Sequence, residues 1–579
     1  MPRHLITSAL PYANGPIHFG HVAGAYLPAD VYARYLRLTG EEVLYVCGTD
    51  EHGVAITLKA EQTGLGYREY VDRWHDEIKD LFDRFQISFD HWSGTARCEQ
   101  HAEASRRFFR ILLERGHIFD RTEEQWFSPT LERFLPDRYL QGTCPNCGFD
   151  QARGDECPQC GTWIEARELK NPICTLDGST PELRATKHWY IDLPKLQEEG
   201  LQAWYTGEDA SRPHGPWKPN VDGYVQAMLR DLLARPITRD LPWGIPVPEE
   251  LEGSEGKVLY VWFDAPIGYV SATMEWAEQR GTPEAWSEWW QGEDTHLTHF
   301  IGKDNIAFHV VVFPSMLLGL GKEWDGKRFQ LPHNVPANEF YNLQGRKFNT
   351  SAGWYLDNEH FFSQYSADAA RFYVLSSLPE TSDSEFTWEG FQTVNNALLA
   401  DKLGNFASRV LKFNAKRFDG VVPESDGSLD GDDDLKTADA RLGAIGTHIA
   451  AFEFRKAVSA LMDGCDALNQ FFDAHAPWKL IKSEDAADQA RCRAVLERCL
   501  AYLELIARRL SPFCPTASER LAAMMGDAMG ELAWGDESAD QAAARLAAGT
   551  ALGEAEVLFT KIDDDTIAAE IARLEGAVA

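Results

Sequence analysis

Apolar and polar positions alternate in a recurring order over the first ~115 residues. Residues 3–10 and 42–47 are apolar runs of strand length, whereas residues 17–38, 67–85 and 100–115 carry apolar positions at helical spacing. A turn over residues 11–16 joins the first strand to the first helix. This strand–turn–helix–strand order predicts an α/β fold with a doubly wound parallel sheet of the Rossmann type.

The alternation of strand and helix patterns stops after residue 115 and resumes near residue 241. Cys, Gly and Pro are dense between residues 144 and 160, which indicates an insert over residues 116–240 that splits the sheet. The apolar run 257–263 predicts a buried strand, and residues 298–301 predict a second one, with a helix after Lys303.

Helical spacing dominates from residue 394 to about residue 532, which predicts a helix bundle. We expect the acidic stretch 424–434 to be a solvated loop within it. The tail, residues 552–579, looks strand-like at Val557-Leu558-Phe559 and helical after that.

Composition narrows the class of protein. With 579 residues, of which 44% are apolar, the chain has material for several packed domains. It has no leader-like segment and no apolar run of about 18 residues, so we expect a cytoplasmic protein without a membrane partner. Its 11 cysteines form no framework of pairs, so we expect reduced thiols. The net charge of −33 argues, taken alone, against a nucleic-acid partner.

Four cysteines stand in a CxxC…CxxC arrangement at Cys144, Cys147, Cys157 and Cys160. Each CxxC turns two thiolates towards one point, with Gly148 and Gly161 easing the turns, and four thiolates suit tetrahedral Zn²⁺ in a structural site. Near Cys174 only one cysteine of a further CxxC is present, so we expect one zinc ion.

The segment His18-Phe19-Gly20-His21 lies at the start of the first predicted helix, just after the turn that follows the first strand. A helix N-terminus offers unpaired N–H donors, and two histidines can add donors for phosphate oxygens, while Gly20 leaves room for a flat base. The simpler interpretation is that these histidines only cap the helix.

Residues 9–21, Ala9-Leu10-Pro11-Tyr12-Ala13-Asn14-Gly15-Pro16-Ile17-His18-Phe19-Gly20-His21, resemble the signature of the class I aminoacyl-tRNA synthetases, and their wording is closest to the methionyl-tRNA synthetases. Two later blocks, residues 261–269 and 300–309, resemble the same family in the same order. The resemblance extends from about residue 5 to residue 574.

The resemblance implies the site residues. It implies a methionine pocket with a backbone group of Leu10 and the side chains Tyr12, Asp50, Trp262, Ala265, Pro266, Tyr269 and His309, in which Asp50 pairs with the substrate ammonium. It implies ATP contacts from Asn14, Gly20, Lys303, Asp304 and Thr350, with Mg²⁺ accompanying ATP, and catalytic roles for His18, His21 and Lys347. Asn305 departs from the aliphatic residue of some relatives, so we assign it no pocket role.

Residues 347–351, Lys-Phe-Asn-Thr-Ser, stand where the family has its mobile KMSKS loop. Thr350 replaces the second lysine, whose charge is linked to stabilising the departing pyrophosphate. Either Arg346 or Lys303 compensates in an active enzyme, which we favour, or activation is lost.

Asn405 and Arg409 are four residues apart on a predicted helix, and Trp478 lies near the start of another. By resemblance these three side chains read the anticodon, which suits an amide, a guanidinium fork and a stacking plane. A local basic patch, with Lys402, Arg409, Lys412, Lys416 and Arg417, then overrules the inference from net charge.

We therefore expect an ATP-dependent methionine–tRNA ligase whose partners are ATP, L-methionine and tRNA(Met). The predicted domains are two halves of a Rossmann catalytic domain (1–115 and 241–333), a zinc-binding connective insert (116–240), a loop and stem-contact region (334–393), a helical anticodon-binding domain (394–545) and a strand/helix tail (546–579). Since no further dimerising domain follows, we expect a monomer. Two alternatives stay open: another class I synthetase, and a tRNA-binding paralogue impaired by Thr350.

Overall fold

The structure is a computed structural model that describes residues 2–577 except 155, 156, 161, 163, 165, 208–216, 351, 352, 426–428, 430–432, 527, 528, 530, 531, 536–542, 544 and 545. It divides into two compact units. The first comprises Met1–Ile17, Leu44–Asp80 and Phe89–Ala337, and the second comprises His18–Val43, Leu81–Ser88 and Asn338–Ala579. Gly161, Ser351 and most of the predicted acidic loop lie outside the described residues.

The strands, in chain order, are β1 Arg3–Ser8, β2 Glu42–Thr49, β3 His91–Gly94, β4 Ile118–Ser128, β5 Arg133–Phe134, β6 Leu140–Thr143, β7 Ala152–Arg153, β8 Lys170–Cys174, β9 Glu182–Ile191, β10 Arg235–Pro236, β11 Thr238–Asp240, β12 Lys257–Leu259, β13 Thr295–Gly302, β14 Ala337–Asn338, β15 Tyr341–Leu343 and β16 Ser384–Phe386.

The α-helices are α1 Phe19–His21, α2 Leu27–Leu38, α3 Val54–Thr63, α4 Tyr67–Arg84, α5 Glu99–Glu114, α6 Leu193–Leu196, α7 Gln202–Thr206, α8 Pro219–Met228, α9 Val261–Gln279, α10 Trp286–Gln291, α11 Phe313–Leu320, α12 Asn358–Gln364, α13 Ala367–Ser376, α14 Trp388–Thr393, α15 Asn405–Arg417, α16 Asp433–Ala450, α17 Phe454–His475, α18 Pro477–Leu480, α19 Ala486–Leu510, α20 Pro515–Met525 and α21 Asp564–Gly576. Wider π-helical turns cover Val22–Tyr26, Gln197–Leu201, Ala307–Val312 and Val394–Gly404, and 3₁₀ turns cover Asp137–Tyr139, Ala166–Glu168 and Lys303–Asn305. None of the helices in the described part of the chain is long and apolar enough to cross a membrane.

The predicted Rossmann-type sheet is present, with five strands in the order β14-β13-β1-β2-β3. β1 runs parallel to β13, from Arg3 opposite Thr295 to Ser8 opposite Phe300, and β2 runs parallel to β3. The chain adds β2 and β3 on one side of β1 and later places β13 on the other side. The carboxyl ends of β1 and β13 therefore form a switch point, the place where open α/β sheets bind ligands.

The insert contains two antiparallel sheets, with the orders β10-β9-β4-β5 and β7-β6-β8. The strand predicted over residues 257–263 is wrong beyond Leu259. β12 ends there and pairs antiparallel with β11, and α9 begins at Val261. α9 is buried along most of its length, and a helix buried on most sides has the same continuous apolar sequence as a buried strand.

The second unit contains the predicted helices α15 to α20, and two local predictions fail in it. Asp433 and Asp434 are not in a loop but in the first turn of α16, where acidic groups favour the helix dipole. Residues 557–559 form no strand; Arg520 instead donates hydrogen bonds to the carbonyl groups of Val557 (2.7 Å) and Leu558 (3.1 Å). A side chain thus satisfies backbone acceptors that a neighbouring strand would otherwise pair.

A buried ion pair joins four segments of the second unit. Arg371 on α13 lies 2.7 Å from the carboxylate of Asp30 on α2, and both side chains are fully buried. Its remaining N–H groups donate to the carbonyl groups of Phe85, Pro512 and Phe513 at 2.7–3.0 Å. Burial alone raises the pKa of Asp30, but Arg34 and Arg371 outweigh it and hold that pKa at about 2. The pair is therefore ionised under all ordinary conditions.

We predict that Arg371→Ala lowers the free energy of unfolding by about 3–5 kcal/mol, because it removes one of the two guanidinium partners of the buried Asp30 charge and leaves the carbonyl groups that Arg371 bonds without their donor. Urea unfolding followed by tryptophan fluorescence measures the change. Lys456→Ala is the control, since it removes a largely exposed pair with Glu453 worth at most about 1 kcal/mol. Equal midpoints for the two variants would contradict the importance of the buried pair.

Candidate functional site

The carboxyl ends of three parallel strands bring predicted site residues to one edge of the first unit's sheet. Leu10 and Tyr12 follow β1, Asp50 follows β2, and Lys303 and Asp304 follow β13. Tyr12 and Asp50 are directly paired, because Ala13 N–H donates to the Asp50 carbonyl (2.8 Å) and Asp50 N–H donates to that of Pro11 (2.9 Å). The edge thus places a phenol, a carboxylate and a cation on neighbouring strand ends.

Tyr12 is held tightly at this edge. Gly53 has φ +109°, and a Cβ on it would lie 2.6 Å from the Tyr12 hydroxyl, so only glycine leaves room for the ring. Burial and the charge of Asp50 raise the pKa of Tyr12, which keeps the phenol neutral. Asn14, two residues further on, has a buried Oδ1 that no described residue hydrogen-bonds. An unpaired buried acceptor of this kind is available to a ligand.

The first turns of α9 carry Trp262, Ala265, Pro266 and Tyr269. Trp262 is a large apolar side chain that is nevertheless 36% exposed. Its ring stacks on Phe308 with centroids 3.6 Å apart. Leu10 packs against the same helix, since a Cβ on Gly268 would lie 2.8 Å from its side chain. These residues form the aromatic and apolar side of the candidate pocket.

A hydrogen-bonded chain at His309 closes the buried side. His309 Nδ1 lies 2.9 Å from the carbonyl of Asn305, which can only accept, so Nδ1 carries the proton and Nε2 is bare. The Tyr269 hydroxyl, 2.7 Å away, therefore donates to Nε2. Burial lowers the pKa of His309 to about 4, so the ring is neutral at physiological pH. The pocket ends in two polar groups that already satisfy each other.

The HxGH segment belongs to the second unit, and its histidines cap α1 reciprocally. Gly20 N–H donates to His18 Nδ1, and His18 N–H donates to His21 Nδ1, both at 3.1 Å. Burial and the neighbouring His21 lower the pKa of His18, so the ring is neutral. Because Nδ1 accepts in both rings, each neutral histidine carries its proton on Nε2. Capping therefore does not compete with phosphate binding but orients two N–H donors outward.

Gly20 has a structural reason in addition to the one predicted. A Cβ there would lie 2.9 Å from the carbonyl oxygen of Tyr341, just before the lysine loop. The loop also packs on the signature, since Phe348 stacks on His18 with centroids 4.3 Å apart. Lys347 is exposed and Thr350 half-buried, while Arg346 lies over the Trp354 ring at 4.6 Å.

The four predicted metal ligands form one cluster. The sulfur atoms of Cys144 and Cys160 are 3.9 Å apart, those of Cys147 and Cys157 are 3.6 Å apart, and all four lie within 4.8 Å of one another. Four sulfurs bound at about 2.3 Å to a tetrahedral ion are roughly 3.8 Å apart, so the donor set fits zinc. Since all four positions are protein thiols, the site fits a structural ion without an open position.

Two of the three predicted anticodon residues meet in the second unit. The guanidinium of Arg409 lies 5.5 Å from the Trp478 ring and 5.0 Å from Phe472, and it forms an ion pair with Asp473 on α17. Asn405 is exposed one turn earlier on α15. Ala476, which precedes α18, has a positive φ of 43°, a conformation that alanine rarely adopts and that places Trp478 beside Arg409.

Sequence reasoning missed several contacting residues. Phe308 stands inside the motif block 300–309, Phe348 stands in the lysine loop, and His52 is two residues from the predicted Asp50, so their positions carried a signal for them. Asp473 and His101 had none, because Asp473 is 64 residues from Arg409 and His101 pairs with residues on other elements.

Comparison with known proteins decides the family. Residues 4–411 match the model of tRNA synthetases class I (M), and residues 422–579 match the anticodon binding domain of methionyl tRNA ligase. A methionine–tRNA ligase of Protochlamydia amoebophila is 43% identical over 99% of this chain and 79% of its own length. One of Rubrobacter xylanophilus is 45% identical over 90% of this chain and 89% of its own length. The chain belongs to the methionine–tRNA ligase family.

The fold agrees with this membership. The structure is similar to that of a Mycobacterium tuberculosis methionyl-tRNA synthetase in complex with methionyl-adenylate, with a TM-score of 0.76 and 25% identity over 96% of this chain and 100% of the other. The predicted family, fold class and type of ATP-dependent ligase are confirmed, and neither alternative function is favoured. The roles of individual site residues and the domain boundaries stay predictions for this methionine–tRNA ligase.

We predict that the purified chain holds one metal ion per molecule and that Cys157→Ser removes it and lowers the thermal midpoint, because structural zinc binding adds directly to folding stability. Cys174→Ser is the matched control, since that cysteine is buried but outside the cluster. Elemental analysis of the two variants measures the metal. Unchanged metal content in Cys157→Ser would show that the cluster is not the site.

Proposed function

We propose that this chain attaches methionine to tRNA(Met) in two steps. In the first, the methionine carboxylate attacks the α-phosphate of ATP, which gives methionyl-adenylate and pyrophosphate. In the second, a ribose hydroxyl of the terminal adenosine of the tRNA takes the methionyl group and AMP leaves. The observation that supports this most directly is the cluster of Trp262, Tyr269 and His309, in which Trp262 stacks on Phe308 and Tyr269 bonds His309, together with the family of the chain.

The pocket chemistry suits a thioether. Methionine's sulfur is polarizable and accepts hydrogen bonds weakly, so a pocket selects it by shape and aromatic contact. The Tyr269 hydroxyl hydrogen and both ring nitrogens of His309 are already used in hydrogen bonds, so this pair does not favour a polar substrate side chain. Asp50 is the carboxylate at the strand edge that receives the ammonium group. The backbone at Leu10 and the side chains of Tyr12, Ala265 and Pro266 complete the proposed contacts.

Positioning and electrostatic stabilisation supply the catalysis. In the second unit, the Nε2–H groups of His18 and His21 and the ammonium group of Lys347 act on the phosphates. In the first unit, Lys303 adds a cation, and Asp304 and Asn14 are proposed to accept hydrogen bonds from the nucleotide. Mg²⁺ enters with ATP as the counter-ion of its phosphates.

Thr350 is compatible with activity. It supplies a hydroxyl where the second lysine stands in relatives, and Arg346, next to Lys347, is proposed to replace the missing charge. The guanidinium stacks on Trp354 at an exposed position, so it is available to a ligand.

The tRNA partner is proposed from the arrangement on α15 and α18. Trp478 offers a stacking plane, Arg409 a fork of donors, and Asn405 a paired donor and acceptor for unstacked anticodon bases. The structural ion at the four cysteines is proposed to be Zn²⁺. A monomeric state and a cytoplasmic location also stay proposals.

Amino-acid-dependent ATP–pyrophosphate exchange, measured with each of the twenty amino acids, tests the function. We expect exchange with methionine and with no other amino acid at comparable concentration, because the pocket excludes charged and hydrogen-bonding side chains. Exchange driven by a different amino acid would replace our choice of substrate. No exchange with any amino acid, in a folded protein that still binds tRNA, would favour the impaired paralogue.

Trp478→Ala is predicted to lower kcat/KM for charging of tRNA(Met) about tenfold to a hundredfold, because stacking of one base contributes about 1–3 kcal/mol. Exchange with methionine, which needs no tRNA, is the internal measure of an intact active site. Phe413→Ala, a half-buried aromatic on the same helix as Arg409, is the matched control. Equal losses in the two variants would mean that Trp478 contributes packing rather than base recognition.

A further inference from the structure

A group of three buried side chains lies beside the amino-acid pocket and has no role in the function proposed so far. Asp264 on α9 is fully buried, and its Oδ2 lies 2.6 Å from His52 Nδ1 and 3.7 Å from His101 Nε2. His52 and His101 are buried as well. A buried carboxylate is costly, so its position beside two buried histidines indicates a specific role.

A metal ion does not fit this group. The three candidate atoms lie within 4.8 Å of one another, but His52 Nδ1 and Asp264 Oδ2 are already hydrogen-bonded at 2.6 Å. Two ligands of one zinc ion, each at about 2.0–2.1 Å, are roughly 3.3 Å apart. The group is therefore held together by hydrogen bonding between His52 and Asp264 rather than by a metal ion.

The neighbours of His101 show which of its ring nitrogens carries the proton. His101 Nδ1 lies 2.8 Å from the Ser271 hydroxyl, whose other contact, to the carbonyl of Gly268, is longer at 3.2 Å. With Ser271 donating to Nδ1, His101 carries its proton on Nε2 and turns it towards Asp264; the opposite tautomer would aim a lone pair at a carboxylate. Burial lowers the pKa of His101, so the ring is neutral. Asp264 thus accepts a hydrogen bond from His52 at 2.6 Å and faces the Nε2–H group of His101 at 3.7 Å, beyond hydrogen-bond distance, so that His101 acts on it electrostatically.

His52 also connects Asp264 to Asp50, the carboxylate proposed to receive the substrate ammonium group. Its backbone N–H reaches Asp50 Oδ1 at a long 3.5 Å, while its ring holds Asp264. The Asp50 carboxylate has no closer donor among the hydrogen bonds of the described residues. The two carboxylates are therefore unequal: one faces two ring N–H groups, and the other receives a single weak bond.

The charges agree with this inequality. Burial raises the pKa of Asp264, but His52 and His101 outweigh it and lower that pKa below its usual value. Burial, the charge of Asp264 and that of Glu51 raise the pKa of Asp50 well above its usual value. Tyr12 and Tyr269, which also act here, stay neutral. Glu51 is itself paired with Arg97 at 2.8 Å, and His75 lies 3.6 Å from it, with a pKa that burial lowers to about 3.

We propose that His52 and His101 keep Asp264 ionised, so that Asp50 holds a proton in the free enzyme and releases it when the substrate ammonium group binds. The step is balanced: the Asp50 O–H bond breaks, the proton leaves to solvent, and the substrate keeps its three ammonium hydrogens while pairing with the new carboxylate. His101 and His52 are positioning residues, because they touch Asp264 and not the substrate. The inference rests on the proposed role of Asp50 in methionine binding.

Such a carboxylate pair has a chemical consequence for specificity. A neutral Asp50 avoids placing two like charges side by side in the empty site. Only a ligand that brings a positive charge to Asp50 offsets the free energy of removing its proton. An analogue of methionine that lacks the ammonium group therefore binds poorly. Methionine binding then becomes weaker as pH falls, by up to tenfold per pH unit below the apparent pKa of the pair.

Calorimetric titration with methionine, repeated in buffers of different ionisation enthalpy, counts the protons released. Between pH 6 and 8 free methionine keeps its ammonium group, so released protons come from the protein. We expect the wild-type enzyme to release close to one proton per methionine at the lower pH values and progressively less as pH rises. Pyrophosphate exchange is then measured with the same samples, so that KM for methionine and for ATP are compared.

Two variants at one position separate a proton-holding role from packing. His101→Gln can place an N–H group where Nε2 was, whereas His101→Asn reaches only the Nδ1 position and leaves Asp264 one donor short. We expect His101→Asn to release less than half a proton and to show a flatter dependence of methionine KM on pH, with KM for ATP within twofold. His101→Gln should restore the wild-type behaviour. Equal behaviour of two folded variants would overturn the proposal.

Asp264→Asn supplies an independent arm, since it removes the charge that keeps Asp50 protonated. We expect no proton release and tighter methionine binding at pH 6 than in the wild-type enzyme. Pyrophosphate exchange with methionine in the wild type, but no proton release at any pH, would overturn this inference and leave the proposed function intact. Failure of the folded wild type to bind methionine would overturn the function itself. Loss of one metal equivalent in His101→Asn would show a metal site instead.

Discussion

The parallel pairing of β1 with β13 is the constraint on which the candidate amino-acid site depends. Their register, from Arg3 opposite Thr295 to Ser8 opposite Phe300, forces the two strands to end at the same edge. The segments that follow, with Tyr12 after one strand and Lys303 after the other, must then diverge from neighbouring points. A slip of one residue would turn each of these side chains to the opposite face of the sheet.

Buried charges decide the local geometry in both units. In the second unit, the Arg371–Asp30 pair ties α13 to α2 and leaves no N–H group of the guanidinium to water on that side. In the first unit, Asp264 accepts a hydrogen bond from His52 and lies 3.7 Å from His101. A buried carboxylate is costly without such partners, so each one specifies which elements pack around it.

Histidine serves three different purposes in this chain because its two ring nitrogens are distinct. In the signature, Nδ1 caps a helix and Nε2 is left to donate. At His309 the roles reverse, with Nδ1 donating to a carbonyl and Nε2 accepting from Tyr269. At His52 the ring donates to the buried carboxylate of Asp264, and the His101 ring lies beside the same carboxylate. In each case the neighbouring backbone or hydroxyl group, and not the histidine itself, sets the tautomer.

Features defined within one element could be predicted from the sequence. The HxGH turn, the CxxC pairs and the spacing of Asn405 and Arg409 depend on backbone geometry over a few residues, and that geometry is the same in any fold. The resemblance to the synthetase family added the order of the motif blocks. The run 257–263 was predicted wrongly because continuous apolar sequence suits a buried helix as well as a buried strand, and residues 557–559 because Arg520 supplies their hydrogen bonds.

Only the tertiary structure decided which distant groups meet. Asp473 reaches Arg409 across 64 residues, and His52 reaches Asp264 across 212. Such pairs depend on how helices and strands pack, and packing is set by the whole core rather than by any local pattern. The sequence alone therefore determined the family, the motifs and the elements that carry them. The tertiary structure decided the tautomers and the charge partners, because burial and close neighbours fix where a proton resides.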